Sequence, residues 1–507
     1  MKPVPSRPTP LRLAAALLCG VAMLAAGCAS APGSDPLKSS IDTVVVIYAE
    51  NRSFDNLYGL YPGADGVANA SAQSRTQLDR DGVTPLATLP PVWNARGSQR
   101  DALDFVARLP NGPFRIDAPP GGLPGGMAMN VASPDLVHRF YNHQMQLNGG
   151  RNNQFAAWSD AGGLSMGYYD GSTMQMWQLA RQYTLADHFF MGAFGGSFLN
   201  HFWLACACTP VVGAGAPAVA VSRIDGHGRL ATAPDSPASA LQGPPKYVGD
   251  RSLTPDGYAV NTAQPAFQPS MVKPSPANPA LADPAGSPLP AQTLPTIGDR
   301  LSDKGVSWAW YSGGWKAALA DRNEIYGGNV KFQAHHQPFN YFARFDPSTP
   351  AGAAQRAEHL KDYDELLADA QSGRLPKVVF YKPHGGLNQH PGYTDVQSGD
   401  EHVASLVRRL MASPQWSHMA IVVTYDENGG FWDHVTPPLA DRFGPGSRVP
   451  AIVISPYARR GFVDSTPYDT TSILKLITRR FDLEPLPGAR ASMGDLTNAF
   501  DFNQAAR

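Results

Sequence analysis

The chain has 507 residues, 43% of them hydrophobic and 10% aromatic, enough to bury a large core as one α/β domain with insertions or as two domains. That composition excludes general disorder, and a formal net charge of −1 excludes nucleic acid as the expected partner.

Residues 1–27 read as an export signal. Lys2, Arg7 and Arg12 precede an apolar stretch over 13–26, which closes on Ala25, Ala26, Gly27 and Cys28. The stretch is too short for an ordinary spanning helix. Its small residues resemble a bacterial lipoprotein signal, although Ala25 stands where leucine is usual. Either Cys28 carries a lipid that holds the protein on a membrane, or the signal is cleaved in the ordinary way. The expected location is the bacterial envelope, as a periplasmic or outer-membrane lipoprotein, or outside the cell. Removing residues 1–27 takes three basic and no acidic residues, moving the formal charge from −1 to −4. Residues 28–40 read as a tether.

Residues 41–48 (IDTVVVIY) are apolar without alternation, which predicts a strand buried on both faces of a parallel sheet. The strand runs into Glu50, Asn51, Arg52, Ser53, Phe54 and Asp55. In open α/β sheets ligands bind beyond the carboxyl ends of strands, so oxygen ligands here are well placed to hold a cation. Residues 110–126 form a Gly/Pro-rich loop. Ser133 and Pro134 signal a helix start, and the segment 133–160 carries His143, either a satisfied histidine or a site residue. Gly195 and Gly196 precede Ser197 at the head of an apolar helical stretch. The serine is either a phosphate-facing nucleophile among free backbone N–H groups or an ordinary N-cap. The G-x-S-x-G elbow of lipase-like hydrolases is absent there. Cys206 and Cys208 lack the spacing of a zinc site and read as small buried hydrophobes or as a bridge.

Residues 209–295 change character. Nine prolines fall between 265 and 295, predicting an extended or irregular insertion that caps the site or contacts a partner. Regular pattern resumes with a helix at 296–304 and a strand at 306–311, and His335 and His336 follow on a loop. A strand at 377–381 delivers a polar run that includes His390. A helix at 400–411 leads to a second acidic strand exit, where residues 420–424 end at Asp426 and Glu427. Those two acids hold a cation or form a charged turn, with Gly429, Gly430 and His434 beyond. The last core strand is read at 449–454, and the strand-helix-strand order predicts right-handed parallel units. Residues 41–208 and 296–507 are expected to form one domain.

The words ENRSFD at 50–55 and YDENG at 425–429 resemble the bacterial acid phosphatase and phospholipase C family of phosphoesterases. The resemblance runs from about residue 41 to about 483. It includes the Gly196-Ser197-x-x-Asn200 word, His335-His336-Gln337-Pro338 and Asn388-Gln389-His390-Pro391. It implies a three-layer α/β/α fold similar to alkaline phosphatases, with a mostly parallel, doubly wound central sheet. It further implies one metal ion held by Glu50, Asn51, Ser197, Asp426 and Glu427, with Ser197 as nucleophile. Asn200, His143, His335, His336 and His390 match positions lining the phosphate pocket. The phospholipase C branch commonly has threonine followed by Asn-Arg where this chain has Ser197 and Asn200-His201, which favours the acid phosphatase branch.

The chemistry suits those parts. Carboxylates at two strand exits hold a divalent ion (calcium, magnesium, manganese or iron), which lowers the hydroxyl pKa of Ser197. A phosphoserine follows, and histidines protonated at acidic pH donate to phosphoryl oxygens. The expected activity is acid hydrolysis of small phosphate monoesters. The alternatives are a phospholipase C acting on phospholipid diesters and an envelope protein that binds phosphate or metal without turnover.

Overall fold

Apolar runs with no polar alternation form the middle of an eight-stranded sheet. The computed structural model describes residues 35–94, 98–213 and 217–504, so the signal and the lipid site at Cys28 lie outside the described residues. The strands are β1 (Thr43–Ala49), β2 (Thr184–Ala186), β3 (Trp308–Ser312), β4 (Leu360–Lys361), β5 (Val378–Lys382), β6 (Met419–Tyr425), β7 (Ala451–Ile454) and β8 (Phe462–Asp464). Their order is β8-β2-β7-β6-β1-β5-β3-β4. β1 and β6 are buried along their whole length, as expected for strands covered on both faces. They pair in parallel from Thr43 opposite Met419 to Ala49 opposite Tyr425.

Successive side chains of β1 point to opposite faces. Tyr48 meets α3 (Ser197–Cys206), donating to the Asn200 carbonyl at 3.3 Å. Ala49, with Tyr425, meets Asp400 and Val403 of α6 (Val396–Met411). α3 packs on α4 (Ile297–Asp303) and α7 (Thr470–Phe481), while α6 packs on α5 (Tyr363–Gln371). The layers are therefore helix, sheet, helix, as expected.

The structure departs from the sequence reading at three places. β7 runs antiparallel to both β6 and β2, although the strand order predicted parallel units. A parallel return needs a crossover, usually a helix, and residues 426–450 instead form a loop whose first residues enter the site. The helix expected from Ser133 begins later, as α2 (Phe140–Leu147), and a separate turn of helix occupies Phe155–Trp158. Residues 36–40, read as tether, form a short helix with Leu37 buried. The insertion 209–295 is irregular and joined by single bridges such as Val211 to Tyr258, yet it buries Leu253, Val260 and Phe267. Cys206 and Cys208 are bonded to each other at the end of α3.

The two acidic strand exits are stapled by a buried charge network. Arg448 Nε donates to Asp433 Oδ1 at 2.8 Å, and its Nη2 to Asp55 Oδ1 at 3.2 Å. His434 Nδ1 lies 2.7 Å from Asp55 Oδ2 and its Nε2 lies 3.1 Å from Asp65 Oδ1. Asp55 belongs to the short helix α1 (Phe54–Tyr58), capped by Ser53, whose hydroxyl also donates to the Trp432 carbonyl at 2.8 Å. Burial alone would lower the His434 imidazole pKa. The hydrogen bond and charge of Asp55, with Asp433, push it up to about 9.

A histidine raised above its unfolded value of about 6.5 contributes stability that is complete below that pH and is lost as pH rises through about 9. His434→Gln is therefore expected to lower the unfolding free energy by on the order of 3 kcal/mol at pH 6. Urea titration should show the deficit shrinking between pH 6.5 and 9; a pH-independent deficit contradicts this account.

Candidate active site

The register of β1 and β6 decides where the acids go. Glu50 and Asn51 leave β1 beside Asp426 and Glu427 leaving β6, and all four are buried. Asp426 Oδ1 accepts from the amides of Asn51 at 3.1 Å and Glu427 at 2.8 Å. Its Oδ2 accepts from Lys382 Nζ at 3.0 Å. Lys382, at the end of β5, also lies 3.4 Å from Glu50 Oε2 and donates to the Ala49 carbonyl at 3.2 Å. Asn388 donates to Glu50 Oε2 as well. Gly429 turns with φ of +62°, and a Cβ there would stand 2.3 Å from the Asn51 carbonyl oxygen, so the close approach requires glycine.

Ser197 is the first residue of α3. Its Oγ lies 3.2 Å from Glu50 Oε1, 3.3 Å from Asn51 Oδ1 and 3.4 Å from Glu427 Oε1. A hydroxyl carries one hydrogen, so three converging acceptor oxygens leave an excess of negative charge that a divalent cation would satisfy. The donor set fits the expected metal. Glu50, His335 and His336 also come close enough to hold an ion together, which adds nitrogen donors. Asp426 stands at the edge of this set because Lys382 and two amides already engage both its oxygens.

His143 and Asn200 are not brought to the pocket. His143 Nδ1 accepts from the Gly195 amide at 3.1 Å and its Nε2 lies 2.9 Å from Ser447 Oγ, with the ring fully buried. Asn200 bonds Ala193 N, Ala193 O and Gly196 O. Both residues grip the loop that presents Ser197.

His335 and His390 line the cavity in front of Ser197, and His336 stands behind them with Nε2 3.2 Å from Glu50 Oε2. Burial pushes His335 well below the ordinary imidazole value, and lowers His336 to about 4 in spite of Glu50. Both shifts favour the neutral ring, against the expectation that these histidines are protonated at acidic pH. His138 differs: burial would lower it, but Glu427 and Asp135 push it up to about 9. Its Nε2 lies 3.7 Å from Glu427 Oε1. Burial, reinforced by Asp426 and Glu50, pushes the Glu427 carboxyl up to about 8 against the charge of His138. Burial alone would raise Glu50 too, yet Lys382, His336 and His390 hold it well below the usual carboxylate range.

The cavity measures about 140 Å³ and is walled by Asp135, His138, Tyr326, Gln333 and Tyr393, together with Val260, Asn261 and Thr262 of the insertion. Sequence reasoning missed His138 and Lys382. Lys382 had a usable signal, since it ends a buried strand on the site side of the sheet. His138 had none, because it lies in an extended segment without period.

A family model described as the Phosphoesterase family matches residues 41–484. The chain is 26% identical over 537 residues to Phospholipase C B of Mycobacterium tuberculosis, covering 97% of this chain and 84% of that protein. It is 27% identical over 506 residues to Phospholipase C A of the same organism, covering 92% and 78%. Among solved structures, a protein in the alkaline phosphatase superfamily from Vibrio parahaemolyticus is 10% identical, with 65% of this chain and 64% of that chain covered and a TM-score of 0.32.

The loop before Ser197 yields a test of how the site is held. Gly195 has φ of +93°, and a Cβ there would stand 2.6 Å from the Phe140 amide nitrogen. Gly195→Ala is expected to cost about 1–3 kcal/mol of stability, read by urea unfolding. A shift of about 1 Å at the Ser197 hydroxyl should cost roughly 100-fold in kcat, measured on the same preparation. A fully active variant would show that the loop does not position the hydroxyl.

Proposed function

The chain belongs to the Phosphoesterase family, and from that premise we propose that it cleaves phosphodiester head groups in the manner of a phospholipase C, with Ser197 as the nucleophile. Family membership makes it a phosphoric-ester hydrolase. The observation that carries the assignment of Ser197 is its hydroxyl, at the head of α3, facing oxygens of Glu50, Asn51 and Glu427 at 3.2 to 3.4 Å on the wall of the cavity. The diester reading is supported by relatives named phospholipase C that align along nearly the whole chain.

Glu50, Asn51, Ser197 and Glu427 would hold the metal, with Asp426 beside them. A bound divalent ion supplies charge stabilisation for the phosphoryl oxygens and lowers the pKa of a hydroxyl it touches. The rest falls to the protein. Ser197 Oγ forms a bond to phosphorus as the ester P–O bond breaks and the alcohol leaves with a proton. Water then attacks the phosphoserine, releasing the phosphoryl group and restoring the hydroxyl. His138, His335 and His390 line the cavity and offer ring nitrogens to the phosphoryl oxygens and the leaving group. The positive end of α3 lies at the same point. His143 and Asn200 act at one remove by holding the Gly195–Ser197 loop.

A second reading, hydrolysis of phosphate monoesters, is favoured by Ser197 and Asn200-His201 standing where the phospholipase C branch commonly has threonine and Asn-Arg. The signal-like residues 1–27 support export to the envelope under either reading.

Side-by-side assays with p-nitrophenylphosphorylcholine and p-nitrophenyl phosphate test the two. Preference for the diester is expected, preference for the monoester would replace it with the phosphatase reading, and turnover of neither would restore the binding-protein reading. Ser197→Ala should lower kcat by about 10³-fold or more and abolish acid-stable phosphorylation of the chain; an active variant rules out this nucleophile. Exhaustive chelation should abolish turnover, and restoring metal at about 100 times its Kd should raise the unfolding free energy by about 2.7 kcal/mol in calorimetry. Activity and stability unmoved by chelation would contradict metal dependence.

A further inference from the structure

Several polar side chains on the cavity wall have no hydrogen-bond partner within the chain. They are Asp135 through Oδ1, Tyr326 through its hydroxyl, Gln333 through Nε2, and His335 through both ring nitrogens. Gln333 and His335 are each 3% exposed, so water does not readily replace the missing partner. The Gln264 side chain is near enough to the Tyr326 hydroxyl to act on it. Buried polar atoms are nearly always satisfied in folded proteins, and a group of them around one cavity marks where a ligand supplies the partners.

His335 lines the phosphate pocket with Ser197, and Asp135, Tyr326 and Gln333 line the same cavity, Asp135 being half-exposed with Oδ1 3.7 Å from His138 Nδ1. Tyr326 holds φ of +58°, which a residue with a large side chain rarely adopts. Its amide donates to the Phe332 carbonyl at 2.8 Å, and the Lys331 amide to the Gly327 carbonyl at 3.0 Å, so a closed loop fixes the ring on the wall.

The chemistry of the three groups is complementary. The Gln333 amide nitrogen only donates, the Asp135 carboxylate only accepts, and the Tyr326 hydroxyl does both. One functional group that answers all three is an alcohol hydroxyl, which donates and accepts. With about 140 Å³ shared between phosphate and substituent, the space suits a three-carbon moiety. We propose that Asp135, Tyr326 and Gln333 form a subsite for a glycerol-sized, hydroxyl-bearing alcohol esterified to the phosphate handled at Ser197. This rests on the phosphoric-ester reading and adds to it the nature of the retained or released alcohol. A polar site of this kind discriminates against a ligand that lacks the hydroxyls, because the buried Gln333 amide is then left unpaired.

The test compares sn-glycerol 3-phosphate with n-propyl phosphate, which has the same carbons and no free hydroxyl. Binding to the full chain is measured by calorimetry and by competition against p-nitrophenyl ester turnover, with inorganic phosphate as the reference. Wild type should bind the glycerol ester at least about tenfold more tightly than the propyl ester. Gln333→Leu and Tyr326→Phe, each checked for an unchanged unfolding midpoint, should cut that ratio by threefold or more. The conservative Gln333→Asn separates loss of the amide donor from loss of packing by keeping part of the ratio. Equal affinities in wild type, or a ratio that survives both substitutions, overturns the subsite while inorganic phosphate binding and ester turnover leave the phosphoric-ester reading standing. Failure to bind phosphate or either ester overturns both.

Discussion

The parallel register between β1 and β6 is the constraint on which the rest of the molecule depends. Because Ala49 lies opposite Tyr425, the residues that follow emerge together, and Glu50 is set beside Asp426 and Glu427 with no exposure to water. Burying carboxylates near one another is unfavourable in any medium of low polarity. The raised pKa of Glu427 is one expression of that cost. Lys382 is the fixed counter-charge, bridging Glu50 and Asp426 from the neighbouring strand β5. Glu427 lies beyond the contacts of Lys382 and faces His138 instead, at 3.7 Å, and a bound cation would add charge where the acids converge on Ser197.

An arrangement that strains electrostatically must be held by something else. The ENRSFD word divides this work residue by residue. Glu50 and Asn51 form the site, and buried Arg52 donates twice to the Gln389 carbonyl, fixing the loop that carries His390. Ser53 caps α1 and ties down Trp432, Phe54 packs under the Arg448 guanidinium at 4.5 Å, and Asp55 joins the Arg448, Asp433 and His434 network. The network is paired within itself, each acid answered by Arg448 or His434. Stability is thus concentrated a few residues behind the place where it is given up, as is common where a site must keep unsatisfied groups.

The same division holds at Ser197. His143 and Asn200 are polar and fully buried, and they bond backbone groups of the loop 193–196, His143 reaching Ser447 Oγ with its other nitrogen. What reaches the cavity is the hydroxyl they position, with the histidines of a distant loop and the wall contributed by the insertion. The insertion has almost no regular structure of its own. Its Pro-rich composition limits backbone freedom, and single bridges with a few buried apolar residues suffice to bring residues 260–262 to the cavity.

What the sequence by itself determined was the set of buried strands, their acidic exits, and the Gly195-Gly196-Ser197 helix start. All three depend on local pattern: unbroken apolar runs, polar residues at strand ends and glycines where the backbone must turn. Tertiary structure alone decided which exits are neighbours, because register is a contact between segments nearly 380 residues apart in the chain. It also decided the direction of β7, the place of His138 and Lys382, and the withdrawal of His143 and Asn200 from the pocket to its support. A histidine or asparagine of given sequence serves equally as ligand or as brace. The difference lies in which partners burial brings within about 3 Å, and that is set only when the chain has folded.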